Sequence, residues 1–249
     1  TDGGNYSLAG ETLQADVTQK ALSISGSSAA NKVYDANTTA TVTAGSLSGV
    51  IGGDTVTVSG TGTFDNKNVG TDKDVATTYA LAGTDGGNYS LAGETLQADV
   101  TQKALTISGS SAANKVYDAN TTATVTAGSL SGVIGGDTVT VSGTGTFDDK
   151  NVGTDKDVTA TYSLAGTDGG NYSLAGETLQ ADVTQKTLGI SGSSAANKVY
   201  DANTTATVTA GSLSGVIGGD TVTVSGTGTF DDKNVGTDKD VATTYALAG

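Results

Sequence analysis

From Thr55 to Phe64 the chain reads TVTVSGTGTF. Val56, Val58 and Phe64 fall on one parity, together with Gly60 and Gly62, and Thr55, Thr57, Ser59, Thr61 and Thr63 fall on the other. A period of two carried by β-branched residues predicts a half-buried strand. The same alternation predicts strands over Thr39–Ala44, Leu13–Val17 and Leu22–Ile24, and a further one over Val75–Leu81. Between them lie Asp35-Ala36-Asn37, Ile51-Gly52-Gly53-Asp54, Asp65-Asn66-Lys67-Asn68 and Asp85-Gly86-Gly87-Asn88. Such clusters supply positive φ and side-chain-to-backbone turn bonds. The one weak helix candidate, Ser27–Val33, is short and has no periodic apolar face.

This pattern is repetitive. TDGGNYSLAGETLQADVTQK opens at Thr1, Thr84 and Thr167, so the 249 residues are three blocks of 83. Only six columns vary between blocks, among them Ala21/Ala104/Thr187, Ser23/Thr106/Gly189 and Asn66/Asp149/Asp232. A tandem array is therefore expected, not one large domain. Its register follows from parity. Apolar residues sit on odd positions in Leu13–Val17 and on even positions in Leu22–Ile24. A strand that changes its buried face is expected to leave one core and enter another, which places a boundary at Gln19-Lys20. The expected domains are a tail strand at 1–19, complete repeats at 20–102 and 103–185, and at 186–249 a repeat lacking its C-terminal strand. The fold expected is all-β: a linear, end-to-end tandem array of small β-sandwich or β-grasp-like domains of about 83 residues. The unmatched tail and the incomplete last repeat are each an open strand edge. Head-to-tail strand complementation between copies, or disordered ends, should follow.

Composition removes whole classes of chemistry. Cys, His, Pro, Met and Trp are absent and all twelve cations are Lys. Disulfides, thiolate nucleophiles and His-based acid–base catalysis are impossible. The net charge of −14 is spread evenly over the blocks, so no basic patch is available for nucleic acid. No apolar run approaches the roughly 18 residues of a membrane span. The chain opens without Met and reads as part of a longer polypeptide.

Several groups have the chemistry for a site. Asp65, Asp72 and Asp74, with Asp148, Asp149, Asp155 and Asp157 in the second block, are calcium candidates, since calcium needs several oxygen ligands close together. Their spacing fits no calcium loop, and Lys73 stands between two of the carboxylates. Tyr34, Tyr79 and Tyr89 offer aromatic faces for a sugar, against the plainer reading of core packing with a bonded hydroxyl. Lys32 and Lys67 lie near Asn residues, as an isopeptide cross-link requires. Asn5-Tyr6-Ser7 and Asn37-Thr38-Thr39 fit a glycosylation sequon. The rows Thr55-Thr57 and Thr61-Thr63 carry ordinary strand propensity, the alternative being an ice-binding ladder. No carboxylate pair or phosphate-binding loop stands out, and no enzyme and no cofactor is expected.

Lys32-Val33-Tyr34-Asp35-Ala36-Asn37-Thr38-Thr39, followed by Leu47-Ser48-Gly49-Val50 and Gly53-Asp54, resembles the YDG-type repeat of large bacterial surface adhesins. Asp65-Asn66-Lys67-Asn68-Val69-Gly70, Gly87-Asn88-Tyr89-Ser90-Leu91 and Ala98-Asp99-Val100-Thr101-Gln102-Lys103 resemble its later elements, in the same order. Ala36 stands where that family commonly has Gly. The resemblance covers every block. It implies a filamentous-haemagglutinin-like protein, exported by a partner in the outer membrane and displayed outside the bacterial cell, in which the repeats form stalks without catalytic residues. A spacer for a distal binding domain is the expected function, each unit adding on the order of 30–40 Å from strands rising about 3.3 Å per residue. The alternative is a multivalent array that binds glycan or mucin weakly in every unit.

Overall fold

The structure, a computed structural model, describes residues 1–249. It is all-β, with single-turn 3-10 helices at Asp2–Asn5, Gly86–Asn88 and Gly169–Asn171 as the only helical elements. The first repeat contains nine strands: β1 Lys20–Ser25, β2 Ser28–Ala29, β3 Lys32–Val33, β4 Thr39–Thr43, β5 Ser46–Ser48, β6 Thr57–Phe64, β7 Gly70–Ala82, β8 Tyr89–Leu91 and β9 Thr95–Thr101. They form two sheets, one ordered β5-β1-β8 and the other β2-β4-β6-β7-β9-β3. The helix candidate Ser27–Val33 is in fact β2 and β3, whose backbone bonds go to β4 and β9. Without an apolar helical face, pairing with a sheet decides its conformation.

The long central pair explains its own sequence. β6 and β7 match residue for residue from Thr57↔Ala82 to Phe64↔Val75. On β6 the threonines are exposed while Gly62 and Phe64 are buried. A Cβ at Gly62 would lie 2.7 Å from both Val42 Cγ2 and Val75 Cγ1, and one at Gly60 would lie 3.0 Å from the Tyr79 ring. The glycines on the apolar parity therefore make room for neighbouring side chains to cross the strand.

Packing gathers residues 1–108, 130–141 and 163–175 into one compact unit and 109–129, 142–162 and 176–249 into another. In the first, Tyr34, Ala40, Phe64, Val75, Ala98 and Val100 form one buried cluster with Leu105 and Tyr172. In the second, Ala123, Phe147, Val158, Ala181 and Val183 form the core. This corrects the expectation of one closed core per block. Burial does change parity at Gln102, from Leu96, Ala98 and Val100 to Leu105 and Ile107. There the backbone leaves the six-stranded sheet and enters the three-stranded sheet that begins at Lys103. Yet Val100 and Leu105 belong to the same cluster. The parity switch marks a change of sheet, not of core.

The first 19 residues and the third repeat differ from their copies. Residues 1–19 hold no strand and are exposed throughout, although their copies form Tyr89–Thr101 and Tyr172–Thr184 strand pairs. In the third repeat the first strand opens at Gly189 and the last at Val241, several residues later than the equivalent Lys103 and Gly153. In both places the strand bonds fail for want of a neighbouring strand.

Ala36, Ala119 and Ala202 have φ of 63°, 65° and 63°. A left-handed Ala costs about 1–2 kcal/mol, against about 0.4–1 kcal/mol for the chain entropy that Gly adds to the unfolded state. Ala36→Gly is expected to raise stability by several tenths of a kcal/mol, about 0.5. The same holds for Ala119→Gly and Ala202→Gly. Urea denaturation of the triple variant checks this; a midpoint below wild type contradicts it.

Candidate functional site: the joint between repeats

The KVYDANTT segment folds on its lysine. Lys32 Nζ donates to the Asn37 backbone oxygen (3.1 Å), Asn37 Oδ1 (3.0 Å) and the Thr39 backbone oxygen (3.1 Å), and pairs with Asp35 at 2.5 Å. The Asn37 N–H donates to Asp35 Oδ1 at 3.1 Å. The ammonium also lies 5.7 Å from the centre of the Phe64 ring. The closed turn fixes Tyr34, whose N–H donates to the Thr101 carbonyl at 2.9 Å.

Tyr34 then reaches into the next repeat, inside the first compact unit. Its hydroxyl donates to Asp137 Oδ2 at 2.8 Å, and the Tyr172 hydroxyl donates to the same oxygen at 2.6 Å. Lys67 Nζ donates to Asp137 Oδ1 at 2.9 Å and to Asp168 Oδ1 at 3.0 Å. The Val69 N–H donates to Asn171 Oδ1 at 2.9 Å, and Asn171 Nδ2 donates to Asn68 Oδ1 at 3.1 Å. The Tyr34 and Tyr172 rings meet edge to face, 5.4 Å apart. Tyr34 is 1% exposed and the Asp137 side chain 3%. Two hydroxyls and an ammonium share one buried carboxylate, and an aromatic pair seals it.

The charges follow from this arrangement. The Tyr172 hydroxyl, Lys67 and Tyr34 hold the Asp137 carboxyl below its ordinary value against the opposing effect of burial. Asp137, Tyr34 and Asp168 push the Lys67 ammonium above its usual range. Burial, above all, raises Tyr34 and Tyr172. The cluster is therefore an ion pair with neutral phenols, suited to holding two repeats together.

The second joint, inside the second compact unit, is a partial copy. The Tyr117 hydroxyl donates to Asp220 at 2.9 Å, and Lys150 reaches Asp220 only at 3.4 Å. Within the first repeat, Asp54 receives the Tyr89 hydroxyl at 2.5 Å.

The residues singled out in the sequence are scattered or already engaged. Asp65 pairs with Lys73 at 2.7 Å, and Asp148 and Asp149 pair with Lys156 at 2.8 and 3.0 Å. Asp72 and Asp155, at φ of 47° and 48°, sit in a bulge of β7 and of its copy, each N–H bonded at 2.9 Å to Asp99 or Asp182. Asp74 and Asp157 accept backbone bonds from Asp65 and Asp148. No three carboxylates gather as a metal-ion site. Tyr34, Tyr79 and Tyr89 are buried, each with its hydroxyl on a carboxylate, that of Tyr79 on Glu94 at 2.6 Å. Asn88 of the sequon is exposed, whereas its copy Asn171 is buried in the joint. The isopeptide candidate Lys67 is held as an ammonium, which has no lone pair for amide formation. The intact mass is expected to equal that of the sequence, with no loss of ammonia or water. The melting temperature is expected to be unmoved by a chelator. A mass deficit, or a shift with chelator, would contradict these readings.

Sequence reasoning misses the joint residues Asp137 and Asp168, and it singles out Asn171 only as a copy of the sequon at Asn5. Each meets a partner about one block away, Tyr34 lying 103 residues from Asp137, and no pattern inside one block signals such a contact.

The family model for the YDG domain matches residues 18–97, 101–180 and 184–249. No curated protein and no solved structure matches the chain. Three tandem matches that together span most of the sequence show that the chain belongs to the YDG domain family.

Proposed function

We propose that the array is the stalk or filament body of a secreted adhesin on the bacterial cell surface, holding a distal binding domain away from the cell. The joint carries this reading. Tyr34, Lys67, Asp137, Asp168, Asn171 and Tyr172 are spent on joining one repeat to the next. The faces of Tyr34, Tyr79 and Tyr89, on which a glycan would stack, are buried, that of Tyr34 in the joint itself. Near-identity of the blocks fits a part whose output is copy number. The negative surface keeps crowded stalks apart.

Arrays of increasing repeat number, displayed on cells beneath one fixed binding domain, test the proposal. Reach should grow in proportion to copy number, while affinity for the distal domain's ligand stays constant. Binding of mucin or glycan by the repeats alone, strengthening with each added copy, would instead establish the multivalent alternative.

A further inference from the structure

We propose that the joint between the first and second repeats is an oxidative cross-linking site, at which a one-electron oxidant driven by peroxide joins Tyr34 to Tyr172 as a dityrosine. The chain lacks Cys, Met and Trp. Cys and Met are common targets of oxidation, so oxidising equivalents fall on tyrosine. Tyr34 and Tyr172 are 1% and 2% exposed and stand edge to face, with ring centres 5.4 Å apart and planes at 77°. Their hydroxyls converge on one atom, Asp137 Oδ2, at 2.8 and 2.6 Å. The ortho carbons flank the hydroxyl-bearing carbons, so the convergent ends of the two rings are the ends that couple. Two reactants held in this way react as one molecule, without the cost of meeting.

The carboxylate supplies the proton chemistry. A neutral phenol gives up an electron most easily when its proton leaves with it, and Asp137 is in hydrogen-bond reach of both protons. Each ring loses one electron and its hydroxyl proton, which Asp137 takes and passes to solvent. The two phenoxyl radicals form a carbon–carbon bond between ortho carbons, and the protons on those carbons shift to the oxygens. In sum, two phenols and one hydrogen peroxide give one biphenol and two waters. A biphenol joined ortho to ortho carries its hydroxyls side by side and can donate both to a single acceptor, which Asp137 Oδ2 already is for the separate rings. The site is also shallow. Lys67, whose side chain is 37% exposed, lies 5.8 Å from the centre of the Tyr34 ring, so one side chain separates that ring from an oxidant at the surface. Tyr79 is an internal control: it is buried with its hydroxyl on Glu94 at 2.6 Å, but no second ring stands beside it.

Photo-oxidation of the full chain with ruthenium tris-bipyridyl and persulfate, in dilute solution, tests the proposal. The untreated chain keeps its full mass. The treated chain should lose two hydrogens, gain the blue fluorescence of a biphenol and melt at a higher temperature, because the link closes a long loop. Cleavage after lysine should then yield residues 33–67 joined to 157–186 through Tyr34 and Tyr172. Asn66 and Ser163 set these peptides apart in mass from their copies, which carry Asp149 and Ala80. The yield should not change with chain concentration. Tyr34→Phe and Tyr172→Phe should each abolish the joined peptide, and Tyr79→Phe should leave it unchanged. Three results overturn the proposal: Tyr34 and Tyr172 left unlinked while other tyrosines oxidise, a link whose yield rises with chain concentration, or a joined peptide that survives Tyr34→Phe. None of them bears on the stalk reading.

Discussion

Tyr34→Ala should destabilise the chain by about 3–5 kcal/mol, the range for emptying a fully buried aromatic site. It removes the ring that packs against Tyr172 and one of the hydroxyls on Asp137. The chain carries its own controls. Tyr117 has the same neighbours in sequence and the same carboxylate bond, to Asp220, but is only half-buried. Tyr117→Ala should cost less, about 1–2 kcal/mol. Tyr200, 55% exposed, should lose no more than about 0.5 kcal/mol on the same change. Urea denaturation of the three variants reads the series. Equal losses at all three positions would mean that Tyr stabilises its own repeat and that the joint contributes nothing.

Asp137→Ala is the second large effect. It leaves the Tyr34 and Tyr172 hydroxyls without an acceptor and Lys67 with Asp168 alone. Removing one side of a buried, hydrogen-bonded ion pair costs about 3–5 kcal/mol. Asp54, which accepts one tyrosine hydroxyl, should cost about 1–2 kcal/mol when changed to Ala. The pH dependence has a definite sign. The Asp137 carboxyl is held below its ordinary value, so its contribution is complete above about pH 4 and lost as pH falls through the lowered value. The Lys67 ammonium is pushed up, so its contribution is complete below about pH 10 and lost in stronger alkali. Stability should therefore plateau between these limits, and Asp137→Asn should flatten the acid limb. An acid limb identical in Asp137→Asn and wild type would contradict this.

Local structure was legible because one block holds all its information. The alternation in TVTVSGTGTF fixed β6 and its exposed threonines, and the strand read over Val75–Leu81 lies within β7, Gly70–Ala82. The turn at Asp35-Ala36-Asn37 is also where it was expected. Two things escaped. Leu13–Val17 alternates like a strand but forms none, because alternation predicts a face and cannot supply a neighbour. The joint escaped because a near-identical repeat hides which copy a residue touches. Tyr34 takes Asp137 and not Asp54, although both stand in the same Gly-Gly-Asp turn. The parity switch at Gln102 does mark a change of face. Its meaning depended on whether the two sheets share an interior, and that is a property of packing between blocks.

The parallel pairing of β1 with β8 and of β3 with β9 has a mechanical corollary. In the first two repeats β1 or its copy comes first and β9 or its copy last, so a pull along the backbone drags the partners of both ladders past each other lengthwise. The hydrogen bonds of a ladder loaded this way must give together, where a hairpin pulled from its open end unzips one bond at a time. Each of the first two repeats thus meets tension in its more resistant geometry.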